Sequence, residues 1–254
     1  MILTLDIGNS EIMLGGFDGD ALSFVARVGT DTKKTSDEYA ASIISVLALY
    51  SVKRESITGA IISSVVPSLN PTVKSAISLL FSIEPLMVGP GIKTGIGIRC
   101  DIPSSVGADL ISASVAAHYI YGSPSLIIDI GTATKMTVVD KNGAFIGTSI
   151  IPGVLMGLDA LSKSSALLPN IDPDAPGAVI AKNTADCMRS GIIYGNASMI
   201  DGMIDRIRAE IGDDLPLIVT GSQSGLITPH LSHEFTYDEH LVLRGLNILY
   251  KKNN

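Results

Sequence analysis

Two carboxylates stand at the ends of apolar runs, each followed by a glycine and small polar side chains. Asp6 closes Leu3-Thr4-Leu5 and precedes Ile7-Gly8-Asn9-Ser10; Asp129 closes Leu126-Ile127-Ile128 and precedes Ile130-Gly131-Thr132-Ala133-Thr134. An Asp at a strand end, followed by a glycine turn, lets backbone N–H groups approach a phosphate while the carboxylate holds a hydrated Mg²⁺ or orients water. Ser10, Thr132 and Thr134 can donate to phosphate oxygens without crowding them, and Asn9 adds a neutral amide. A single Asp-Ile-Gly is equally an ordinary tight turn. Two copies, one opening each half of the 254-residue chain, point instead to a duplicated nucleotide-handling unit. A third carboxylate, Asp109, follows Gly107-Ala108 near the expected start of a helix, where the partial positive charge of the helix end attracts an acid. Helix capping is the plain alternative for Asp109.

The elements around these residues repeat as well. After Asp6 the pattern predicts a second strand to Phe17, a turn at Asp18–Asp20 and a third strand over Leu22–Val28. After Asp129 it predicts a strand over Lys135–Val139, a turn at Asp140–Gly143 and a strand to Ile151. Each half therefore opens as a three-strand meander. Helical periodicity follows at Asp37–Tyr50 and Leu69–Leu80, around a strand at Gly59–Val66. In the second half it falls at Met156–Ser165, Thr184–Ile211 and Asp238–Tyr250, with a strand at Leu217–Thr220. The expected organisation is two similar α/β domains, residues 1–112 and 113–254.

With 46% hydrophobic and 17% charged residues, the chain can bury a substantial core. The apolar stretches are interrupted by Pro152, Gly153 and Gly157, and Met1-Ile2-Leu3 lacks the basic start of a secretory signal, so no membrane association and a cytoplasmic location are expected. Cys100 and Cys187 lack metal-ligand spacing, and both are expected to be free thiols. A net charge of −7 argues against nucleic acid as a partner. It also means that any phosphate site must be built from local amides and a bound cation.

The residues resemble those of a known family: the acetate and sugar kinase, Hsp70 and actin superfamily, and within it type III pantothenate kinase. The resemblance rests on DIGNS (Asp6–Ser10), KTSDEY (Lys34–Tyr39), SSVVPSL (Ser63–Leu69), GPGIKTGI (Gly89–Ile96), VGAD (Val106–Asp109), DIGTAT (Asp129–Thr134), IPG (Ile151–Gly153), KNT (Lys182–Thr184) and RGLNILY (Arg244–Tyr250), in that order. It implies two ribonuclease H-like, actin-like ATPase domains, each opening with a three-strand meander on a mixed sheet. It implies ATP-dependent phosphorylation of pantothenate, the entry step of coenzyme A synthesis, by a homodimer using Mg²⁺ and a monovalent cation, K⁺ or NH₄⁺. Residue by residue, Asp6, Gly8, Asn9 and Ser10 correspond to the first phosphate loop, and Thr132, Thr134 and Gly221 to further nucleotide contacts. Asp109 corresponds to the general base, and Asp129, with Asp6, to the metal-binding carboxylates. Gly107, Cys100, Leu110 and Thr184 fall at substrate-contact positions, Thr184 from the partner subunit.

Several of these positions depart from the family pattern. Leu110 stands where an Arg pairs the pantothenate carboxylate, and Cys100-Asp101-Ile102-Pro103 replaces a Tyr-Asp-Asn-Pro-like stretch. Lys135-Met136-Thr137 replaces a small or polar residue, an aromatic and an Asp, and Thr220-Gly221-Ser222 replaces Thr-Gly-Gly. Losing a charge-assisted contact typically costs about 1.5–3 kcal/mol, so the acceptor pocket is the altered part. Lys135 could reach a nucleotide phosphate, but the favoured expectation is a solvated lysine on an exposed strand face. Two alternatives to pantothenate phosphorylation follow: a kinase for another small hydroxylated acceptor, and a non-catalytic nucleotide-binding paralogue with a regulatory role.

Overall fold

The computed structural model describes residues 1–212 and 214–254. In chain order the elements are β1 (Ile2–Ile7), β2 (Glu11–Asp18), β3 (Ala21–Gly29), α1 (Ser36–Leu49), β4 (Gly59–Ser64), α2 (Asn70–Phe81), β5 (Leu86–Met87), β6 (Gly97–Ile98) and α3 (Ala108–Ala116). They continue with β7 (Ser125–Ile130), β8 (Ala133–Val139), β9 (Ala144–Pro152), α4 (Val154–Ser164), α5 (Thr184–Ile211), β10 (Leu217–Thr220), α6 (Ser224–Ile227), β11 (Thr236–Tyr237) and α7 (Leu241–Asn253). The chain divides into two units: one comprises Met1–Gly122, Gly143–Phe145 and His240–Asn254, the other Ser123–Asn142 and Ile146–Glu239.

In the first unit, β1, β2 and β3 form the expected antiparallel meander, and β4 and then β5 add in parallel, giving the order β3-β2-β1-β4-β5. β1 is buried on both faces. Leu3, Leu5 and Ile7 pack with Tyr39, Ile43 and Leu47 of α1 and Val73 and Ile77 of α2. The opposite face, marked by Phe17 and Ile61, packs against Ile111 and Val115 of α3 and Leu243 and Leu246 of α7. α1 starts cleanly because Thr35 and Glu38 form a reciprocal capping box. Ala144 and Phe145 pair in parallel with β6.

The second unit repeats the scheme. β7 and β8 pair antiparallel, β10 lies parallel to β7, and the strands run β11-β10-β7-β8-β9. Leu126, Ile128, Ile130, Met136 and Val138 bury one face against Val154 and Leu158 of α4 and Met188, Ile192, Ala197 and Ile200 of α5. The period-2 alternation of strands puts Asp129, Lys135 and Thr137 on the other face. The α5 periodicity expected from sequence is present over Thr184–Ile211, and much of its apolar content goes into this core. Among the described residues, no helix is long and apolar enough to cross a membrane.

The packing of α3 against α7 holds the helix that carries Asp109. Their crossing is close at Gly245: a Cβ there would overlap the carbonyl of Ser112. Helix propensity favours Ala over Gly by about 1 kcal/mol, but overpacking against a fixed backbone costs about 1–3 kcal/mol, so packing decides. Gly245→Ala is expected to lower unfolding stability, read as a reduced urea midpoint with an unchanged slope.

Candidate functional site

The first phosphate-type turn is set by strand alternation and by a brace from outside it. With Leu3, Leu5 and Ile7 committed to the α1–α2 face, Thr4 and Asp6 point to the side covered by α3 and α7. β1 then ends, and Gly8 N–H donates to the Glu11 carbonyl at 3.0 Å. A Cβ on Gly8 would come within 3.0 Å of that same carbonyl, so glycine keeps the turn tight. Thr30, just beyond β3, holds both ends: its hydroxyl donates to Gly8 O at 2.7 Å and its N–H to Ser10 O at 3.1 Å. Asn9 and Ser10 are exposed at the tip, and Asp6 is half-buried. In register with Asp6 on β4 stands Ser63, fully buried, with an Oγ that has no hydrogen-bond partner.

Asp109 lies in the first turn of α3 and is 8% exposed. Gly107 is the N-cap, and a Cβ there would overlap the Asp109 carboxylate, which therefore folds back over the start of its own helix. That geometry contains the capping alternative and the catalytic one together. Because α3 covers the face to which Asp6 points, the fold brings Asp6, Ser63 and Asp109 to one face of the first sheet. Leu110, next along α3, is buried and supplies no charge. Cys100 is half-buried and is a free thiol, Ile102 is exposed, and Arg99 points outward between Ile98 and Cys100. Thr184 is exposed in the second unit as the first residue of α5, behind Asn183, whose side chain accepts from the Asp186 N–H at 3.0 Å. The hydrogen bond from the Asn183 side chain, aided by Arg189, holds the Asp186 carboxyl below its usual range.

The second turn is built from three separate pieces of chain. Gly131 N–H bonds Ala133 O at 3.2 Å, closing the β7–β8 hairpin, and Thr132 is exposed at its tip. Gly153 packs so closely that a Cβ would overlap the carbonyls of Gly131 and Thr132. Gln223 ties the hairpin to α4, its N–H donating to Ile130 O at 2.8 Å and its Oε1 accepting from Leu155 N–H at 3.1 Å. Gly221 adopts φ +103°, and a Cβ would collide with the Ile130 backbone and the Asp129 carboxylate. Thr134 is fully buried with an unpartnered Oγ1. The Asp129 carboxylate receives Lys135 Nζ on Oδ2 at 2.7 Å, the two side chains only 19% and 20% exposed. Lys135 is thus half-buried and ion-paired, a correction to its expectation as a solvated residue; it sits directly opposite Asp129 across the β7–β8 ladder.

These features suit a polyphosphate. Both turns are stripped of side chains where backbone must come close, and a hydroxyl stands at each tip, Ser10 and Thr132, with orphaned Ser63 beside Asp6; Thr134, opposite Ile130, falls by alternation on the α4–α5 face instead. Mg²⁺ keeps several waters and shares phosphate oxygens with one or two carboxylates, a donor set that strand-end aspartates provide. Among the described residues, no group of three or more His, Cys, Asp or Glu side chains could cage a metal. The Lys135 ammonium sits on Oδ2 of Asp129, the place a free monovalent cation would take on that oxygen. Thr30, Gly153 and Gln223 escape a reading of the motifs as turns: of the three, only Gly153 lies in a motif segment, and nothing in sequence order links it to Thr132.

The same architecture occurs in the polyphosphate/ATP-glucomannokinase of Arthrobacter sp. strain KM, with a TM-score of 0.53, 16% identity, and coverage of 97% of this chain and 96% of that one. It occurs also in component A of the (R)-2-hydroxyglutaryl-CoA dehydratase of Acidaminococcus fermentans, with a TM-score of 0.55, 16% identity, and coverage of 98% and 96%. The class is therefore the α/β fold shared by sugar kinases and actin-like ATPases. Within that class, residues 2–206 match the type III pantothenate kinase family. The chain is 40% identical to the type III pantothenate kinase of Geotalea daltonii, covering 100% of this chain and 99% of that protein, and 38% identical to that of Moorella thermoacetica, covering 100% of both. It belongs to the type III pantothenate kinase family.

Gly221 gives the most direct test of the second turn. Gly221→Ala must meet both an unfavourable φ and a collision with Ile130, so its melting temperature is expected to fall by several degrees and its affinity for an ATP analogue by at least about tenfold. Unchanged calorimetric binding would detach Gly221 from the nucleotide.

Proposed function

We propose that this chain is an ATP-dependent kinase that phosphorylates pantothenate to 4′-phosphopantothenate, the first step of coenzyme A biosynthesis. The observation that carries the proposal is the placement of Asp109, buried in the first turn of α3, on the same face of the first sheet as Asp6. ATP with Mg²⁺ on its phosphates supplies the transferable phosphoryl group when bound. The chain's task is positioning and proton removal, since phosphoryl transfer needs little covalent help from a protein. Asp109 accepts the proton of the acceptor hydroxyl, and its folding over Gly107 fixes its direction. The backbone and hydroxyls at Gly8, Asn9 and Ser10 receive phosphate oxygens at the first turn; Thr132 and Gly221 do so at the second. Asp6 would hold hydrated Mg²⁺ or its water at the first turn; at the second, Lys135 takes Oδ2 of Asp129, and Oδ1 would be left to accept from a Mg²⁺-bound water.

The acceptor is bound through the Gly107 backbone and the walls made by Cys100 and Leu110, with Thr184 reaching it from a second copy in a homodimer. Exposed Ile150, Leu155, Met156 and Leu161 give the second unit an apolar surface that a partner copy would cover. A cytoplasmic location fits a chain with two free thiols. One observation favours a second reading, a kinase for a hydroxylated acceptor without a carboxylate: buried Leu110 offers such an anion nothing.

ADP formation with ATP and Mg²⁺, with and without pantothenate, decides between the two. Pantothenate-stimulated turnover by the native chain supports the first reading; silence rescued by Leu110→Arg supports the second, and silence in both against a panel of hydroxylated acceptors removes the enzyme. In either enzyme, Asp109→Asn is expected to lower kcat by at least about a hundredfold with the melting temperature little changed. Full turnover in that variant would take Asp109 out of the reaction.

A further inference from the structure

We infer that Lys135 is the resident monovalent cation of the second phosphate turn, its ammonium standing on Asp129 where a dissolved K⁺ or NH₄⁺ would otherwise bind. The inference rests on the kinase reading for its purpose, though not for its geometry.

The register comes first. Asp129 and Lys135 are directly opposed across the antiparallel β7–β8 pair, so both side chains leave the same face at neighbouring positions. The ammonium reaches Oδ2 at 2.7 Å, the length of a charge-assisted hydrogen bond. Both side chains are about four-fifths buried, so salt screens this pair far less than it screens a surface pair. On its other side Oδ1 lies close against Gly221, where a Cβ would collide with it. A positive charge is thereby held at the base of the Gly131–Thr132 turn, the segment whose close backbone approach is preserved by Gly153 and Gly221.

The next side chain of β8 on this face adds no charge. Two residues along β8 on the same face, Thr137 is buried and neutral, with its hydroxyl 3.1 Å from that of Thr148. Among the described residues, no cluster of carboxylate, His or Cys side chains adds further ligands. A free monovalent ion would have to displace a tethered, four-fifths buried ammonium from the same carboxylate oxygen. Lysine and K⁺ carry the same charge, so the exchange preserves the electrostatics at a phosphate while removing the dependence on salt composition. The chain is accordingly expected to bind nucleotide equally well whichever monovalent cation is supplied.

The test is calorimetric titration of the native protein with a non-hydrolysable ATP analogue and Mg²⁺. It is run in choline, sodium, potassium and ammonium chlorides at one ionic strength, with melting temperatures of the nucleotide-free protein in the same four salts. Lys135→Thr is measured in parallel. The native Kd is expected to vary by less than about threefold across the salts, whereas Lys135→Thr loses roughly ten- to a hundredfold in choline and recovers in K⁺ or NH₄⁺. A native protein that gains tenfold or more from K⁺ overturns the inference. So does a Lys135→Thr protein that binds as tightly as native in choline, or one whose loss no monovalent salt repairs, since Lys135 would then be a structural strut. If Lys135→Thr does not fold, the native salt series decides alone. Should the native protein bind no nucleotide in any salt, the kinase reading fails by itself and the melting temperatures decide the cation question. Stabilisation specific to K⁺ or NH₄⁺ in Lys135→Thr and absent from the native chain upholds Lys135 as the resident cation; any other pattern rejects it.

Discussion

A carboxylate at the end of a buried strand is useful for phosphate chemistry only if the turn behind it is bare and rigid, and that requirement shapes both units. A β-strand buried on both faces reads as a near-continuous apolar run, and polar side chains are tolerated mainly near its end. Asp6 and Asp129 use that position. The turn that follows cannot carry side chains without blocking the backbone, yet a bare turn is floppy unless something outside holds it. The two units meet this differently. Thr30 clasps the first turn at Gly8 O and Ser10 O, while Gly153 and Gln223 wedge the second from α4 and the loop before α6.

The acceptor side follows a different logic, because α3 is a buried helix. All nine of its residues are withdrawn from solvent between the first sheet and α7. A side chain at position 110 must therefore be apolar or permanently paired. Burying a leucine contributes about 1.5–3 kcal/mol, whereas an unpaired buried guanidinium costs several kcal/mol until an anion arrives. Leu110 thus trades recognition of a carboxylate for stability of the helix that carries Asp109. Position 109 carries a buried carboxylate and position 110 a buried leucine, so neighbouring residues of one helix answer opposite demands.

Much of this was legible before any coordinates. The paired strand-Asp-Gly turns predict the meanders, the parallel strands after them and the helices, because hydrophobic alternation and glycine placement are local and both halves repeat them. Asp109 was legible as a carboxylate at a helix start, and it stands in the first turn of α3 behind the N-cap Gly107, its carboxylate folded back against that glycine. What remained hidden depends on register and on long-range packing. Lys135 reads as a solvated strand residue until β7 and β8 are aligned and Asp129 is found opposite. Thr30 carries no motif, and its two hydrogen bonds exist only because β3 returns beside the first turn. The contribution of α7 to the face that carries Asp109 requires residues 241–253 to pack with the start of the chain.

The overall charge sharpens the role of what is local. A chain of net charge −7 repels a nucleotide at long range, but at physiological salt that repulsion fades within about 8–10 Å. Inside that distance only fixed groups matter: oriented N–H groups of the bare turns, hydroxyls, and whatever cation is near. Peptide dipoles alone carry partial charges, so a full positive charge held by a partly buried partner is the strongest element available to such a site. Surface lysines elsewhere on the chain cannot substitute, since their fields are screened before they reach either turn. The pairing that removes Lys135 from solvent also prevents its charge from being spent on solvent, and it is the Asp129 carboxylate, placed by the end of β7, that makes this possible.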